Sequence, residues 1–305
     1  MKERGNRDQI VLATKFTTPY KNYQIGPGVK GGAGQTVNFA GNHKRSLMMS
    51  VRDSLKKLQT DYIDLLYLHW WDHTTSIEEI MDSLQILVES GKVLYLGISD
   101  SPAWLVSAAN EYARARGKTQ FSVYQGRWNV MIRDFERDII PMARHYGMAL
   151  APWDVLGGGK FQSKQAMDER NKSGEGTRSI MGQGQTEVQV KVSEALDTVA
   201  KQHGASVTAV ALAYVMQKTV NVFPIIGGRK VEHLKDNIKA LSIKLTNEQI
   251  ESLEAVTDFE IGFPNNFIGA DPKITGKALG LLATSAPLSF VRSSTAIGHE
   301  AANAS

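Results

Sequence analysis

The stretch DYIDLLYLH, residues 61–69, predicts a short strand that is buried on both faces. This strand ends at a basic side chain, His69. An earlier apolar run, residues 10–14, ends in the same way on Lys15. In parallel α/β folds the carboxyl ends of the strands lie along one rim, and functional side chains are carried there. These two runs therefore predict a parallel sheet with Lys15 and His69 on its functional rim.

Short β-branched runs alternate with longer amphipathic runs through most of the chain. Strands are predicted at residues 9–15, 62–69, 93–98, 121–125, 148–153 and 220–226. Helices are predicted at residues 44–58, 77–90, 102–116, 135–146, 192–203, 206–217, 231–241 and 247–256. This regular alternation indicates βαβ units and an α/β fold built on a parallel sheet.

The composition fits one large domain and excludes several kinds of site. Of the 305 residues 42% are hydrophobic, and the formal net charge is +4. Basic and acidic residues interleave along the helices, which favours solvated faces over a nucleic-acid surface. The chain has no cysteine, so disulfides, thiolate zinc sites and cysteine nucleophiles are excluded.

Neither a metal site nor a membrane segment is expected. Five histidines are candidate metal ligands, and none clusters with carboxylates at metal-ligand spacing. They are His43, His73, His145, His203 and His233. The start of the chain lacks the apolar core of a signal peptide, and no later stretch is long enough to span a bilayer. We therefore expect a cytoplasmic protein.

Two glycine-rich stretches, residues 17–42 and 157–188, interrupt the strand–helix rhythm. Both follow predicted strand ends, where the functional loops of such folds lie. The last part of the chain, residues 259–305, has little periodicity and is interpreted as a flap that frays toward its end.

Polar side chains recur after the predicted strands. They are Lys15, His69, Ser99 with Asp100, Gln125, Trp153 with Asp154, and the run GGR at 227–229. Taken singly, a histidine in such a place is more often structural and a lysine is more often merely solvated. Six strand ends that agree favour a functional rim over those alternatives.

The strongest phosphate-binding signal is the run GGRK at residues 227–230, directly ahead of a predicted helix. Free backbone N–H groups at a helix N-terminus, together with two cations, are suited to a phosphate. An ordinary turn with solvated charges is the alternative. No G-x-G-x-x-G follows the first strand, so a dinucleotide-binding turn of the Rossmann type is not supported.

These motifs together resemble the aldo-keto reductase family. In chain order they are LATK at 12–15, DYIDLLYLH at 61–69, GIS at 97–99, Gln125, PW at 152–153 and PIIGGR at 224–229. The runs YQGRWN at 124–129, RDFERD at 133–138 and GFP at 262–264 resemble its fungal branch of aryl-alcohol dehydrogenases and norsolorinic acid reductases.

The resemblance implies a (β/α)8 barrel over residues 1–258, N-terminally short, with a partly disordered tail over 259–305. It makes Lys15 and His69 catalytic and NADP(H) the cofactor. The residues it assigns to that cofactor are Ser99, Asp100, Gln125, Trp153, Asp154, Leu156, Gly158, Lys160, Ile226, Gly228, Arg229, His233, Asp236 and Asn237. Trp153 would stack on the nicotinamide, and Arg229 would bind the adenosine 2′-phosphate.

The sequence departs from the family pattern in three respects. Asp100 stands where the family usually has Asn, and Asp154 where Ser or Gly is common, which adds negative charge near a phosphate. Six strands are counted against eight in the barrel, a difference of roughly 60 residues at the front if eight units take about 250. The family carries a catalytic Asp and a proton-donating Tyr in those first units, and neither has a match.

Two functions stay open at this point. One is an NADP(H)-dependent oxidoreductase that reduces aldehyde or ketone groups of small aromatic or polyketide-type substrates in fungal mycotoxin-type secondary metabolism. The other is a catalytically silent protein that binds NADP(H) or a partner. It stays open because the family's Asp and Tyr have no match, and losing a general acid typically costs about 10²–10⁴-fold in rate. Tyr20 or Tyr23 would be a substitute acid, which the sequence disfavours. Unpaired sheet edges would allow a homodimer.

Overall fold

A computed structural model describes residues 1–21, 37–163, 166–167, 184–228 and 230–296 of the chain. Five parallel strands form one sheet in chain order. They are β1 (Ala13–Phe16), β2 (Ile63–Leu68), β3 (Val93–Ser99), β4 (Phe121–Arg127) and β5 (Ala149–Trp153). The predicted α/β class with a parallel sheet is confirmed.

The register of the first strands aligns their carboxyl ends. Lys15 of β1 is paired with Tyr67 of β2, which is paired in turn with Gly97 of β3. Ser99 at the end of β3 is paired with Gln125 of β4. Since all these pairs are parallel, the side chains that follow each strand lie on one rim, as the sequence predicts.

Eight helices of at least two turns accompany these strands in the described residues. They are α1 (Lys44–Leu58), α2 (Ile77–Glu89), α3 (Ala103–Ala115), α4 (Ile139–Tyr146), α5 (Glu187–His203), α6 (Val207–Lys218), α7 (Val231–Lys239) and α8 (Asn247–Glu254). Their ends follow local chemistry. Thr186 and Thr246 each form a capping box with the glutamine three residues later, which satisfies free N–H groups at the starts of α5 and α8.

The sixth predicted strand, residues 220–226, is corrected to an isolated parallel bridge between Val222 and Leu150. The segment still runs beside β5, because the N–H groups of Phe223 and Ile225 donate to Leu150 and Pro152 at 2.7 and 2.8 Å. Pro152 of β5 has no N–H to donate back to the carbonyl oxygen of Phe223, so the ladder is interrupted after this bridge. The described residues thus hold five strands, against eight in a (β/α)8 barrel.

Two other predicted elements are shorter than expected. The first strand begins at Ala13 rather than residue 9, because residues 7–9 form a 3-10 turn. The predicted helix at 135–146 is divided into a 3-10 turn, Asp134–Glu136, and α4. Pro141 accounts for this division, since proline is accommodated in the first turn of a helix and excluded from its interior.

The chain divides into two compact units. The first comprises residues 1–126 and 142–148, and the second residues 127–141 and 149–305. The first unit has its core where side chains such as Leu66 and Ile98 are fully buried between the strands and helices. In the second unit Trp128 is fully buried and its ring stacks on Phe135, with centroids 5.7 Å apart. The predicted boundary at residue 258 remains a prediction.

The segment after α8 has more structure than its weak periodicity predicts. Its helices are α9 (Asn265–Ile268), α10 (Pro272–Thr275) and α11 (Gly280–Ala283). Arg137 fixes its start, because the guanidinium donates twice to the carbonyl oxygen of Glu260 and lies 4.8 Å from the ring centre of Phe259. Within the described part of the chain, every helix is too short or too polar to span a lipid bilayer.

Candidate active site

Lys15 projects from β1 over the ring of Tyr67. Its ammonium nitrogen lies 5.3 Å from the ring centre, within the range of a cation–π interaction. Burial lowers the pKa of Lys15, and the negative charge of Asp100 opposes that shift. The strand end therefore holds an ammonium group partly removed from water, with a carboxylate close enough to act on it.

His69 follows β2 directly and is held by both its backbone and its ring. Its N–H donates to the carbonyl oxygen of Phe16, and its Nδ1 lies 3.0 Å from the hydroxyl of Thr18. Burial and the positive charge of Lys15 lower the pKa of His69, with Asp100 acting in the other direction. Because these effects favour the neutral imidazole, one ring nitrogen can donate and the other can accept near pH 7.

The rim continues with Ser99, Asp100 and Gln125. Ser99 and Gln125 are buried, whereas Asp100 is exposed and adopts a positive φ of 40°. The N–H of Asp100 donates to the carbonyl oxygen of Gln125 at 3.0 Å, which ties the end of β3 to β4. Three of the predicted cofactor-binding residues are thus adjacent on the rim beside Lys15 and His69.

Tyr67 is a further rim residue that the sequence analysis does not single out. It is buried, and a hydrogen bond joins it to the side chain of Gln125. Burial raises the pKa of Tyr67, and that hydrogen bond reduces the effect. Its position could have been found from the two-residue period of β2, which places Tyr67 on the same face as His69.

A cavity of about 340 Å³ opens beside β1, and both Lys15 and His69 line it. Apolar side chains form part of its wall, among them Phe16, Pro19 and Leu58. This volume is at the lower end of the range of small-molecule sites, which are mostly apolar with a few placed polar groups. The two basic residues predicted from the strand ends therefore lie at the same small-molecule-sized cavity.

The second unit carries Trp153 and Asp154 at the end of β5. The Asp154 carboxylate is almost fully buried and accepts a hydrogen bond from Nε of Arg127 at 2.6 Å. The same guanidinium lies 5.9 Å from the centre of the Trp153 ring. Arg127 thus offsets the negative charge that the sequence places here, a pairing that the sequence analysis misses.

The loop after β5 is built on glycine. Gly157, Gly158 and Gly159 all have positive φ values, between 57° and 83°, which side chains other than glycine rarely adopt. A Cβ at Gly157 would also lie 2.9 Å from the ring of Phe161. Leu156 directly precedes these glycines, and Lys160, buried at 2% exposure, directly follows them.

The remaining predicted cofactor residues lie around the start of α7. A Cβ on Gly228 would be 3.0 Å from Cβ of His233, so the backbone approaches this exposed histidine closely. Asp236 instead accepts a hydrogen bond from the hydroxyl of Ser206 at 2.6 Å. Asn237 is buried, and Ile226 is 42% exposed. The structure brings Gly228 and His233 together and directs Asp236 toward the cap of α6.

Several predicted features lie outside the described residues. They are Arg229, Tyr23, the glycines at 26–34, and residues 164–165 and 168–183 of the glycine-rich stretch 157–188. Within the described part of the chain, no three His, Asp or Glu side chains are grouped so as to hold a metal ion.

A sequence model of the aldo/keto reductase family matches residues 1–258. The chain belongs to this family. A probable aryl-alcohol dehydrogenase of Saccharomyces cerevisiae is 65% identical over 292 residues, covering 95% of this chain and 87% of that protein. The chain is therefore an oxidoreductase, which favours the first of the two functions left open above.

Two further relatives of this reductase come from other fungi. Norsolorinic acid reductase B of Dothistroma septosporum is 51% identical over 268 residues, covering 88% of this chain and 66% of that protein. An aryl-alcohol dehydrogenase [NADP(+)] of Phanerodontia chrysosporium is 50% identical over 286 residues, covering 92% and 73%. The predicted resemblance to this branch of the family is confirmed.

The fold of this aldo/keto reductase agrees with that of a solved member. A thermostable aldo-keto reductase, crystallised with the inhibitor epalrestat, superposes with a TM-score of 0.62 at 24% identity. The match covers 83% of this chain and 74% of the other. At this identity the likeness concerns the fold alone.

Proposed function

We propose that this aldo/keto reductase uses NADP(H) to reduce aldehyde or ketone groups of small aromatic or polyketide-type substrates. One observation carries the proposal: Lys15 and His69, from neighbouring strands, line one cavity of small-molecule size. A carbonyl oxygen placed between an ammonium group and an imidazole N–H would be polarised from two sides. Such groups stabilise the negative charge that develops on that oxygen when hydride adds to the carbon.

Each basic residue has a distinct part in this proposal. His69 is favoured as the neutral imidazole by its burial and by the charge of Lys15, so it can donate a hydrogen bond without losing a proton. The ammonium form of Lys15 would counter the alkoxide. Thr18 is a positioning residue, because its hydroxyl contacts Nδ1 of His69 and thereby orients the ring.

The residues present fit a nicotinamide dinucleotide. When bound, it would supply the hydride. Ser99, Asp100 and Gln125 would hold its carboxamide, and Gly228 with His233, which lie close together at the start of α7, would lie at its adenosine end. The other residues proposed to contact it are Trp153, Asp154, Leu156, Gly158, Lys160, Ile226, Arg229, Asp236 and Asn237. NADP rather than NAD is supported by the name of the relative from Phanerodontia chrysosporium.

The biological setting is proposed from the same relatives. The norsolorinic acid reductase supports a part in fungal secondary metabolism, and the aryl-alcohol dehydrogenases support aromatic substrates. A cytoplasmic location and a homodimer remain predictions of the sequence. Light scattering of the purified chain would test the dimer, and a monomeric mass across the micromolar range would contradict it.

The test compares His69→Ala with His145→Ala, an exposed histidine on α4. We expect His69→Ala to lower kcat for NADPH-dependent reduction of aromatic aldehydes by about 10²-fold or more, with the Kd for NADPH unchanged. His145→Ala should match the wild type in both. Equal losses of turnover and of NADPH affinity in His69→Ala would contradict the assigned role. NADPH binding without turnover in the wild type would favour the catalytically silent alternative.

A further inference from the structure

The hydroxyl of Thr18, two residues past β1, meets two residues that follow β2. Its Oγ1 lies 3.0 Å from Nδ1 of His69 and accepts a hydrogen bond of 2.9 Å from Nε1 of Trp70. An indole N–H can only donate, so the direction of the bond from Trp70 is fixed. The threonine hydroxyl has one hydrogen of its own, which remains available for Nδ1 of the imidazole.

The bond from Trp70 favours Thr18 as a donor to the imidazole over Thr18 as an acceptor from it. Hydrogen bonds in a chain polarise one another, so a hydroxyl that already accepts one bond donates more strongly and accepts a second one less well. The run from Nε1 of Trp70 through Oγ1 of Thr18 to Nδ1 of His69 is such a chain. A neutral imidazole that accepts at Nδ1 carries its hydrogen on Nε2. Nε2 is then the ring nitrogen that can donate to a substrate.

The backbone directly before Thr18 is held in a conformation that threonine rarely adopts. Thr17 is fully buried and has a φ of 104°. A β-branched residue at positive φ is an outlier, and such strain persists only where the surrounding structure imposes it. The carbonyl oxygen of Thr17 accepts from the N–H of Gly41 at 2.7 Å, and its hydroxyl accepts from Nδ2 of Asn42 at 2.9 Å. The strain thus lies one residue from the hydroxyl that contacts His69.

Asn42 joins the segment after β1 to the segment after β2. It is fully buried, and its Nδ2 donates both to the Thr17 hydroxyl and, at 3.1 Å, to the carbonyl oxygen of Trp70. Its Oδ1 accepts from the N–H of Asp72 at 2.8 Å, and its own N–H donates to Oδ2 of Asp72 at 2.7 Å. Because both ends of this amide are engaged, Asn42 fixes the backbone on either side of the contact between Trp70 and Thr18.

From this arrangement we propose that Trp70 is a positioning residue of the reduction, which acts through Thr18 so that His69 presents its Nε2 hydrogen to the substrate carbonyl. The inference deepens the proposed function and rests on it. A hydrogen bond from Nε2 stabilises the negative charge that develops on the carbonyl oxygen, and it does so best from a ring whose orientation is already fixed. Asn42 holds the two segments that supply Trp70 and Thr18.

The first experiment measures the tautomer of His69 by NMR on ¹⁵N-labelled protein. The two imidazole nitrogens resonate far apart when only one of them is protonated, and the His69 signals are those missing in His69→Gln. Burial and the charge of Lys15 lower the pKa of His69, so the ring is neutral at about pH 8. We expect the wild type to hold the hydrogen on Nε2, and Trp70→Phe to give a mixture of both tautomers.

Trp71→Phe is the matched control for this measurement. It removes the indole N–H of the neighbouring residue, whose ring meets His73 edge to face with centroids 6.5 Å apart. The His69 signals of Trp71→Phe should match those of the wild type. A hydrogen on Nδ1 in the wild type, or identical signals in Trp70→Phe and the wild type, would overturn the inference without any measurement of activity.

The second experiment tests whether Trp70 acts through Thr18. We expect Trp70→Phe and Thr18→Val each to lower kcat for benzaldehyde reduction about 3–10-fold, with KM, NADPH affinity and melting temperature unchanged. Thr18→Ser should keep the wild-type kcat, because it keeps the hydroxyl. In the Thr18→Val background Trp70→Phe should have no further effect, since the chain of hydrogen bonds is already broken. Independent losses that multiply in the double variant would overturn the inference.

The outcomes separate this inference from the proposed function. A wild type that binds NADPH but reduces no aromatic aldehyde would overturn the proposed function, whereas the NMR signals would still show which nitrogen of His69 holds the hydrogen. A wild type that reduces the aldehyde while Thr18→Val keeps full turnover would overturn this inference alone.

Discussion

Gly97 lies directly against the ring of Tyr67. A Cβ on Gly97 would be 2.5 Å from both Cδ1 and Cε1 of that ring, closer than carbon atoms approach without displacement. The two residues are paired in register on β3 and β2, so the ring lies against the neighbouring strand. Tyr67 in turn contacts Lys15 and Gln125. The glycine therefore determines the position of a ring that supports two proposed site residues.

The substitution Gly97→Ala tests this contact. Because backbone lies on one side of the clash and a buried ring on the other, we expect a loss of about 1–3 kcal/mol in the free energy of unfolding. Gly280→Ala is the control, since a Cβ there meets nothing within 4 Å and its φ is ordinary. Urea denaturation measures both. Equal stability of the two variants would show that Tyr67 can move at little cost.

A second prediction concerns how far the partly buried ammonium group of Lys15 lowers the free energy of unfolding. Burial lowers the pKa of Lys15, so its charged form is less stable in the folded chain than in the unfolded one. The penalty is present at neutral pH and is lost as the pH rises through the folded-state pKa toward the unfolded one. Lys15→Met should therefore raise the free energy of unfolding at pH 7, and its advantage over wild type should shrink at alkaline pH.

The same variant should lose turnover by about 10²-fold, because the charge that counters the alkoxide is removed. Lys56→Met, an exposed lysine on α1, is the control and should change neither property. Denaturation curves at pH 7 and pH 10 give the comparison. A Lys15→Met chain that is less stable than wild type at pH 7 would mean that the ammonium group stabilises the fold.

Arg127 and Asp154 should behave as a coupled pair. Arg127→Met leaves a nearly fully buried carboxylate without its cation, and we expect a loss of about 3 kcal/mol in the free energy of unfolding. The double variant Arg127→Met/Asp154→Asn should recover most of that loss, because no uncompensated charge remains. NADPH affinity should likewise fall in Arg127→Met and largely recover in the double variant. A double-mutant cycle with no coupling energy would contradict the pairing.

Glu136 belongs to a partly buried ion cluster in the second unit. Its carboxylate lies 2.7 Å from Arg133 and 3.5 Å from Lys218, and Glu254 contacts the same two cations. Burial raises the pKa of Glu136, but the hydrogen bond from Arg133 and the charges of Lys218 and Arg133 outweigh it and hold the pKa below its ordinary value. The stabilisation is present above the unfolded-state pKa and is lost as the pH falls through the folded-state one.

Glu136→Gln should accordingly lower the free energy of unfolding by about 1.5–3 kcal/mol at pH 7, the usual contribution of hydrogen bonds to charged groups. The difference from wild type should shrink on acidification. Asp134→Asn is the control, because Asp134 is exposed and its ion pair with Arg137 is of the surface kind, which contributes about 0–1 kcal/mol. Thermal unfolding at pH 7 and pH 4 measures both. Similar effects of the two substitutions would contradict a special contribution from the partly buried cluster.

Features encoded over a few residues are those that the sequence predicts best. The helix at 44–58 and the rim positions of Lys15 and His69 follow from periodicity and strand ends alone. The same reasoning places α5 too late, at residue 192, although Thr186 and Gln189 form a capping box that marks its start. The start of such a helix can be predicted from the sequence when its capping residues are considered together with its hydrophobic periodicity.

Contacts between residues distant in sequence could not be predicted in this way. The pairing of Arg127 with Asp154, the contact of Tyr20 with Asp53 and the support of Tyr67 by Gly97 each join separate elements. Their partners depend on strand order and register, which no short stretch encodes. The single bridge at residues 220–226 has another cause. Pro152 on the neighbouring strand cannot donate the next ladder hydrogen bond, which the β-branched composition of residues 220–226 does not reveal.

The Thr18 hydroxyl also has an optical consequence. The indole Nε1 of Trp70 donates to the same oxygen that contacts His69, at 2.9 Å. A half-exposed indole linked through one hydroxyl to the imidazole should change its emission when that imidazole gains a proton or a carbonyl partner. The emission of Trp70 is therefore expected to report when a ligand binds at His69. This measurement needs neither a label nor a coloured substrate.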